Sequence, residues 1–220
     1  MSKLLRIGVL ASGGGTNLQA IIDRCQDGSL AAEIVIVITN NPGVGALERA
    51  AKAGIQTLCI NHRDFSRREE FDEALVKVLL DAEVELVALA GFMRIISQTF
   101  IDAFPGRVIN VHPALLPAFP GLHVQQQAID YGARFSGCTV HFVDGGVDTG
   151  PIIIQAVVPI LPDDTADTLA ARILEQEHKV YPRAIQLIAE GRVRVDGRQV
   201  TIEPACPPEL TALVNPSIKG

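Results

Sequence analysis

The sequence predicts an α/β protein with a mostly parallel central sheet, an antiparallel C-terminal part and helices on both faces. Short apolar runs alternate with helix-like patterns, and strands apolar on both sides are typical of a parallel sheet covered by helices. Beyond about residue 135, apolar and polar residues alternate instead, which favours antiparallel pairing. The apolar runs are Leu4–Leu10, Ile34–Ile38, Thr57–Ile60, Leu86–Ala90 and Val108–Val111.

The helices between these runs are predicted from apolar stripes at helical spacing. The third helix also has a start signal, because Ser66–Glu69 matches a capping box directly before its apolar stripe. We therefore expect this helix to begin there. The stripes are formed by Leu18, Ile21 and Ile22, by Ala46, Leu47, Ala50 and Ala51, and by Phe71, Leu75, Val78 and Leu79.

The C-terminal part is predicted to contain an antiparallel pair, a long helix and a hairpin. Residues 138–143 and 151–158 form the pair. The helix is expected to begin around Asp163 or Asp164 and to run toward Gly191, with a kink or break at Pro182. Asp196 and Gly197 predict the hairpin turn within residues 192–202, and prolines accumulate from residue 203.

The composition supports one folded domain over residues 1–202, followed by a Pro-rich tail at 203–220. The chain has 220 residues, of which 48% are hydrophobic and 20% charged. Its net charge of −6 offers no basic surface for nucleic acid. Apolar stretches stop short of the roughly 20 residues of a membrane span, and residues 1–6 carry charge where a signal peptide is apolar. We therefore expect a cytoplasmic protein without nucleic-acid or membrane partners.

The cysteines do not form a metal-binding pattern. They are widely spaced and have no nearby histidine to complete a zinc site. We expect no metal, and buried thiols at Cys25, Cys59, Cys138 and Cys206.

A glycine-rich segment, Ser12–Asn17, follows the first predicted strand and precedes the first helix. Glycines there let backbone N–H groups approach an anion at the positive end of the helix. Leu18 replaces the last glycine of the dinucleotide fingerprint, and no Gly-Lys-Ser/Thr sequence marks a triphosphate loop. The segment therefore predicts a site for one phosphate, on a sugar or mononucleotide. A simple strand-to-helix turn is the alternative.

Three polar residues are candidates for catalysis. The period of a strand places Asn110 and His112 on the same face, at the sheet edge where open α/β proteins bind ligands. An amide can stabilise an oxyanion, and a histidine can exchange protons at neutral pH. Asp148 or Asp144 could supply a carboxylate beside the imidazole, and His123 also stays open. Each could instead be an ordinary strand-end or turn residue.

The remaining histidines fit core or surface roles better than catalysis or metal binding. His62 lies in a polar connection, His141 alternates within a predicted strand, and His178 lies within a predicted helix.

Several linked motifs resemble the phosphoribosylglycinamide formyltransferases, over residues 5 to about 190. The resemblance implies a Rossmann-like formyltransferase fold. It also implies formyl transfer from 10-formyltetrahydrofolate, as cosubstrate, to the amine of glycinamide ribonucleotide in purine biosynthesis. The motifs are Ser12–Ile21, Ala90–Ile96, Asn110–Pro117, Pro120–His123 and Val147–Pro151.

The resemblance also implies roles for single residues and halves of the domain. Residues 1–105 would form a phosphate-binding half and residues 106–202 a catalytic and folate half, in a monomer or homodimer. Ala114 and Ala118 depart from relatives, which often have a serine and a basic or polar residue there. The implied residues are Asn110, His112 and Asp148 for catalysis; Gly15, Thr16 and Asn17 for phosphate and Glu177 for ribose; and Arg68, Met93, Arg94, Ile95, Ile96 and Asn110 for folate.

Two related enzymes and one non-enzyme are the alternatives. Formyltetrahydrofolate deformylases share the implied trio but usually carry an extra N-terminal domain, for which a first strand at Leu4 leaves no room. Methionyl-tRNA formyltransferases add a C-terminal RNA-binding domain, which the length and acidic charge do not favour. A mononucleotide-binding module would keep the phosphate segment without catalysis.

Overall fold

The computed structural model describes residues 3–205 and 213–216. Its centre is a seven-stranded sheet in the order β3-β2-β1-β4-β5-β6-β7. Strands β1 to β5 are parallel to one another, whereas β6 is antiparallel to both β5 and β7, which confirms the predicted mixed sheet. The strands are β1 (Leu5–Ala11), β2 (Ala32–Thr39), β3 (Thr57–Cys59), β4 (Leu86–Leu89), β5 (Val108–His112), β6 (Phe135–Phe142) and β7 (Ile152–Pro159).

Helices cover both faces of this sheet, as predicted. One buried cluster joins the sheet to α1, α2, α5 and α6, and a second joins it to α3 and α4. Burial of apolar side chains on both faces explains why the parallel strands are apolar throughout. The helices are α1 (Thr16–Gln26), α2 (Gly45–Lys52), α3 (Arg68–Asp81), α4 (Gln98–Ala103), α5 (Val124–Tyr131) and α6 (Ala166–Ala189).

The predicted capping box at the start of α3 is wrong. The residue that caps this helix is Arg67, which makes no side-chain cap hydrogen bond. Ser66 therefore lies one residue too early for its hydroxyl to reach the first turn. Arg67 pairs instead with Glu70, at 3.0 Å between Nε and Oε1.

The long helix α6 begins later than predicted and continues through Pro182. Its cap is Thr165, which exchanges hydrogen bonds with Thr168. Asp164 accepts instead from the Leu161 N–H and pairs with Arg172 at 2.7 Å. Pro182 does not break the helix, because the buried faces on either side pack against the sheet and offset one lost hydrogen bond.

The hairpin predicted around Asp196 and Gly197 is confirmed as β8 (Val193–Asp196) and β9 (Gln199–Ile202). Most of the predicted tail at 203–220, including Cys206, lies outside the described residues. In its described part, the Asn215 amide donates to the carbonyls of Arg134 and Ile160.

The other cysteines are free thiols. Cys138 is buried as predicted, and burial raises the pKa of its thiol to about 12. Cys25 and Cys59 are only half-buried, contrary to the prediction. Neither lies on a central strand of the sheet, because Cys25 belongs to helix α1 and Cys59 to the edge strand β3.

Candidate active site

The carboxyl ends of β1, β4 and β5 meet at one edge of the sheet. The chain crosses from β1 to β2 on one side and on to β4 on the other, so this edge is a topological switch point. Ser12 follows β1, the segment from Gly91 follows β4, and His112 ends β5. The predicted phosphate, folate and catalytic segments therefore lie side by side.

The structure brings the three candidate catalytic residues together. His112 Nδ1 lies 3.3 Å from Asp148 Oδ2, and both side chains are largely buried. Asp144 does not compete for this position, because its carboxylate binds within its own turn, to Gly146 N–H and the Thr149 hydroxyl. Of the two carboxylates that the sequence left open, Asp148 is the one beside the imidazole.

The His112 ring lies between two hydrogen-bond acceptors. Its Nε2 lies 2.9 Å from the carbonyl oxygen of Phe119, and its Nδ1 faces the Asp148 carboxylate. Both neighbours can only accept hydrogen bonds. The buried imidazole is therefore oriented between two acceptors, the Phe119 carbonyl and the Asp148 carboxylate.

The segment from Phe119 to His123 lies against this pair. Phe119 has φ 51° and His123 has φ 56°, in the left-handed region that favours glycine, and Asp148 has φ 53°. Such residues cost of order 1–3 kcal/mol each, and surrounding contacts hold them there. One such contact is the Gly121 N–H, which donates to Asp148 Oδ2 at 2.9 Å. His123 itself is exposed at the start of α5.

Sequence reasoning missed His141, to which it gave a core or surface role. His141 is 2% exposed, and burial lowers the pKa of its imidazole, which favours the neutral ring. Its Nδ1 donates to the Phe142 carbonyl at 2.8 Å, so its Nε2 is left to accept from Asn110 Nδ2 at 3.3 Å. The same Nε2 lies 3.7 Å from Asp148 Oδ1. His141 thereby fixes which way the Asn110 amide points.

No signal in the sequence gave this contact. It depends on the antiparallel register of β5 and β6, which sets Asn110 opposite His141. A shift of one residue in that register would turn His141 to the other face.

The glycine-rich segment is held between β1 and α2. Gly15 has φ 73°, and a Cβ added there would lie 2.8 Å from the Ala46 Cα, so both conformation and space require glycine. The Gly14 carbonyl accepts from Arg49 Nε at 2.8 Å. Gly15 caps α1 without a side-chain hydrogen bond, which leaves the N–H groups of the first turn directed at an incoming anion.

Asn17 and Glu177 form a buried polar pair behind this segment. Asn17 Nδ2 donates to Glu177 Oε2 at 2.6 Å. Burial raises the pKa of the Glu177 carboxyl, although the Asn17 bond opposes this shift. Asn17 Oδ1 is buried without a hydrogen-bond partner among the described residues. Asn17 Oδ1 is therefore an unpaired acceptor beside the phosphate segment, among the described residues.

The residues implied for folate form a partly apolar surface after β4. Met93 and Ile95 are 69% and 59% exposed, whereas Ile96 is buried in the α3 and α4 core. The Arg94 guanidinium lies over the Phe71 ring at 5.5 Å, and its Nε has no hydrogen-bond partner among the described residues.

Arg68 acts, like Arg94, on the Asp72 carboxyl, because burial raises the pKa of this carboxyl and both positive charges oppose that larger effect. Arg68 lies at the start of α3, largely exposed, with its guanidinium 3.7 Å from Glu69.

No group of three or more His, Cys, Asp or Glu side chains in the described part of the chain is arranged to hold a metal ion. Within residues 3–205 and 213–216, no helix combines the length and apolarity needed to cross a bilayer.

Several known proteins are similar to this chain in sequence or in fold. It is 53% identical over 188 residues to the trifunctional purine biosynthetic protein adenosine-3 of Drosophila melanogaster, covering 84% of this chain and 14% of that protein. It therefore spans about a seventh of the length of this relative. It is 43% identical to the phosphoribosylglycinamide formyltransferase of Haemophilus influenzae over 190 residues, 86% of this chain and 90% of that one.

A solved structure of a protein with a related name is also similar to this chain. The glycinamide ribonucleotide transformylase 1 of Symbiobacterium toebii has a TM-score of 0.90 and 49% sequence identity, over 92% of this chain and 95% of that one. The sequence profile described as formyl transferase matches residues 5–185, most of the chain. The chain therefore belongs to the formyl transferase family, among its phosphoribosylglycinamide formyltransferases.

Proposed function

We propose that this chain transfers the formyl group of 10-formyltetrahydrofolate to the amine of glycinamide ribonucleotide, a step of purine biosynthesis. The main support is the His112–Asp148 pair, which lies at the same sheet edge as a segment suited to one phosphate. Relatives that this chain nearly spans bear the name of this activity.

Asn110, His112 and Asp148 are the proposed catalytic residues. The substrate amine attacks the formyl carbon, so a C–N bond forms and negative charge develops on the formyl oxygen. One N–H of the Asn110 amide donates to His141, and the second N–H is free to donate to the formyl oxygen and stabilise its charge. A protonated His112 stabilises the negative charge that develops on the formyl oxygen, and the Asp148 carboxylate stabilises the protonated ring. The bond to the folate nitrogen then breaks, and this nitrogen takes up the proton that the amine loses, through water near Asp148.

The two substrates would occupy the segments on either side of this trio. The N–H groups around Gly15, Thr16 and Asn17 suit the phosphate, and the Glu177 carboxyl suits the ribose hydroxyls.

The exposed Met93 and Ile95 side chains suit a flat pterin ring. The guanidinium groups of Arg68 and Arg94 are available to carboxylates of a folate. Holding both substrates in one cleft contributes proximity, worth up to roughly 7–11 kcal/mol in well-oriented cases.

Thr16→Glu is expected to raise the KM for glycinamide ribonucleotide about tenfold or more, with kcat little changed. The new carboxylate would repel the phosphate, and a tenfold weaker affinity corresponds to a loss of about 1.4 kcal/mol of binding free energy. An acidic residue in the first turn is favourable for α1, so the fold should tolerate it. Steady-state kinetics with Thr16→Ser as the control tests this, and an unchanged KM would exclude a phosphate at this segment.

Glu177→Gln is expected to raise the KM for glycinamide ribonucleotide about tenfold, because the carboxylate is lost as an acceptor for ribose hydroxyls. It should also stabilise the protein at neutral pH. Burial raises the pKa of Glu177 above its ordinary value near 4.5. The contribution of this carboxyl to folding stability is therefore fully present below pH 4.5, and it is lost as the pH rises through the pKa of Glu177 in the folded protein.

The pH dependence separates binding from folding. Urea unfolding should show Glu177→Gln more stable than wild type at pH 7.5, with the difference shrinking as pH falls toward 4.5 and lost below it. A variant less stable than wild type at pH 7.5, with KM unchanged, would assign Glu177 a purely structural role.

The activity itself is tested by incubating the chain with 10-formyltetrahydrofolate and glycinamide ribonucleotide, and measuring folate release against a control without the amine. Amine-dependent release with formylated product supports the proposal. Release without the amine would identify a hydrolase, and tight binding of both compounds without turnover would identify a binding module.

A further inference from the structure

We infer that Ser12, supported by Asn40, is a positioning residue that fixes the phosphate segment relative to the segment beginning at Met93. Both substrates would then depend on one buried hydroxyl that touches neither. This inference rests on the proposed function for the identity of the substrates, and on the hydrogen bonds of Ser12 for the coupling.

Every polar group of Ser12 is engaged with a different part of the site edge. Its hydroxyl accepts from the Met93 N–H at 2.8 Å and lies 2.6 Å from Asn40 Oδ1. Its N–H donates to the Gly91 carbonyl at 3.1 Å, and its own carbonyl accepts from Asn41 Nδ2 at 3.0 Å. Ser12 therefore joins the ends of β1, β2 and β4.

The Ser12 hydroxyl has one hydrogen, and its two neighbours determine which of them accepts it. Since the Met93 N–H can only donate, the Ser12 hydroxyl donates to Asn40, which must present its amide oxygen. The backbone of Asn40 is held in turn, because its carbonyl lies 3.0 Å from His62 Nδ1. Ser12 is 8% exposed and Asn40 is 3% exposed, so water does not readily replace either partner.

Loss of this hydroxyl would remove the hydrogen-bond partner of the part-buried Met93 N–H and of buried Asn40 Oδ1. Unsatisfied polar groups are costly, so the backbone around them would shift toward other partners or water. Gly13 follows Ser12 directly and Met93 opens the proposed folate surface, so a shift on either side displaces a substrate contact. Ser12 has no described contact with His112 or Asp148, so the chemical step should be preserved.

Ser12→Ala is expected to raise the KM for both substrates about tenfold, with kcat at saturation within a factor of about two. Ser12→Thr restores the hydroxyl and should return both KM values to within about threefold of wild type. Ser136→Ala is the matched control, because the Ser136 hydroxyl is also buried but has no hydrogen-bond partner among the described residues. Unchanged KM values in Ser12→Ala, or an equal rise in Ser136→Ala, would overturn the inference.

A second measurement does not depend on turnover. Binding of inorganic phosphate to the wild type should slow hydrogen exchange at the Met93 amide, as followed by NMR, and should not do so in Ser12→Ala. Equal slowing in both proteins, or none in the wild type, would refute the coupling. If the wild type shows this coupling but no formyl transfer, the proposed reaction is wrong and the positioning role of Ser12 stands.

Discussion

Asn110→Ala is expected to lower kcat by about 10²- to 10³-fold, with a much smaller change in either KM. Removing one preorganised donor from a developing oxyanion has this order of effect. The Asn110 amide is well placed to act this way, because neutral His141 accepts one of its N–H groups and thereby directs the other. Steady-state kinetics with both substrates saturating measures the loss.

Asn61→Ala is the control for Asn110→Ala. It also removes an asparagine side chain with one described hydrogen bond, from the Arg63 N–H at 3.1 Å, but outside the candidate site. It should keep kcat within about twofold of wild type. If Asn110→Ala retains near-normal kcat while unfolding at the same temperature as wild type, Asn110 does not stabilise the oxyanion.

The fold could be predicted largely because its physical causes are local in the sequence. A strand buried on both faces must be apolar at every position, and the runs at the first five strands show this directly. Helix ends were predicted less well. Asp164 has the side chain of a helix cap, yet Arg172 eight residues on offers a stronger partner, and Thr165 caps α6 instead.

The site could be predicted only where one strand fixed the geometry. Asn110 and His112 share a face of β5 because the strand period places them there. His141 belongs to the same cluster, but its position depends on register with a strand that follows a long connection. The choice of Asp148 over Asp144 depends on a left-handed backbone at Asp148 and on a turn that engages Asp144. Neither the register nor this conformation follows from residue spacing.

Asp148→Asn is expected to lower kcat by about 10²- to 10⁴-fold, which is the range for loss of a positioned proton-transfer group. The substitution is nearly isosteric, and asparagine tolerates the left-handed φ of 53° at this position. An amide oxygen can still accept from the Gly121 N–H. What is lost is the negative charge beside His112, so the imidazolium is no longer favoured.

Asp144→Asn distinguishes this effect from a general disturbance of the loop. It removes one charge from the same loop, where the carboxylate binds only within its turn, and its kcat should stay within about threefold of wild type. Equal losses in the two variants would mean that loop conformation, rather than the charge at His112, limits the reaction. Near-normal kcat in Asp148→Asn alone would show that a neutral His112 suffices, because the amide cannot hold the ring in its charged form.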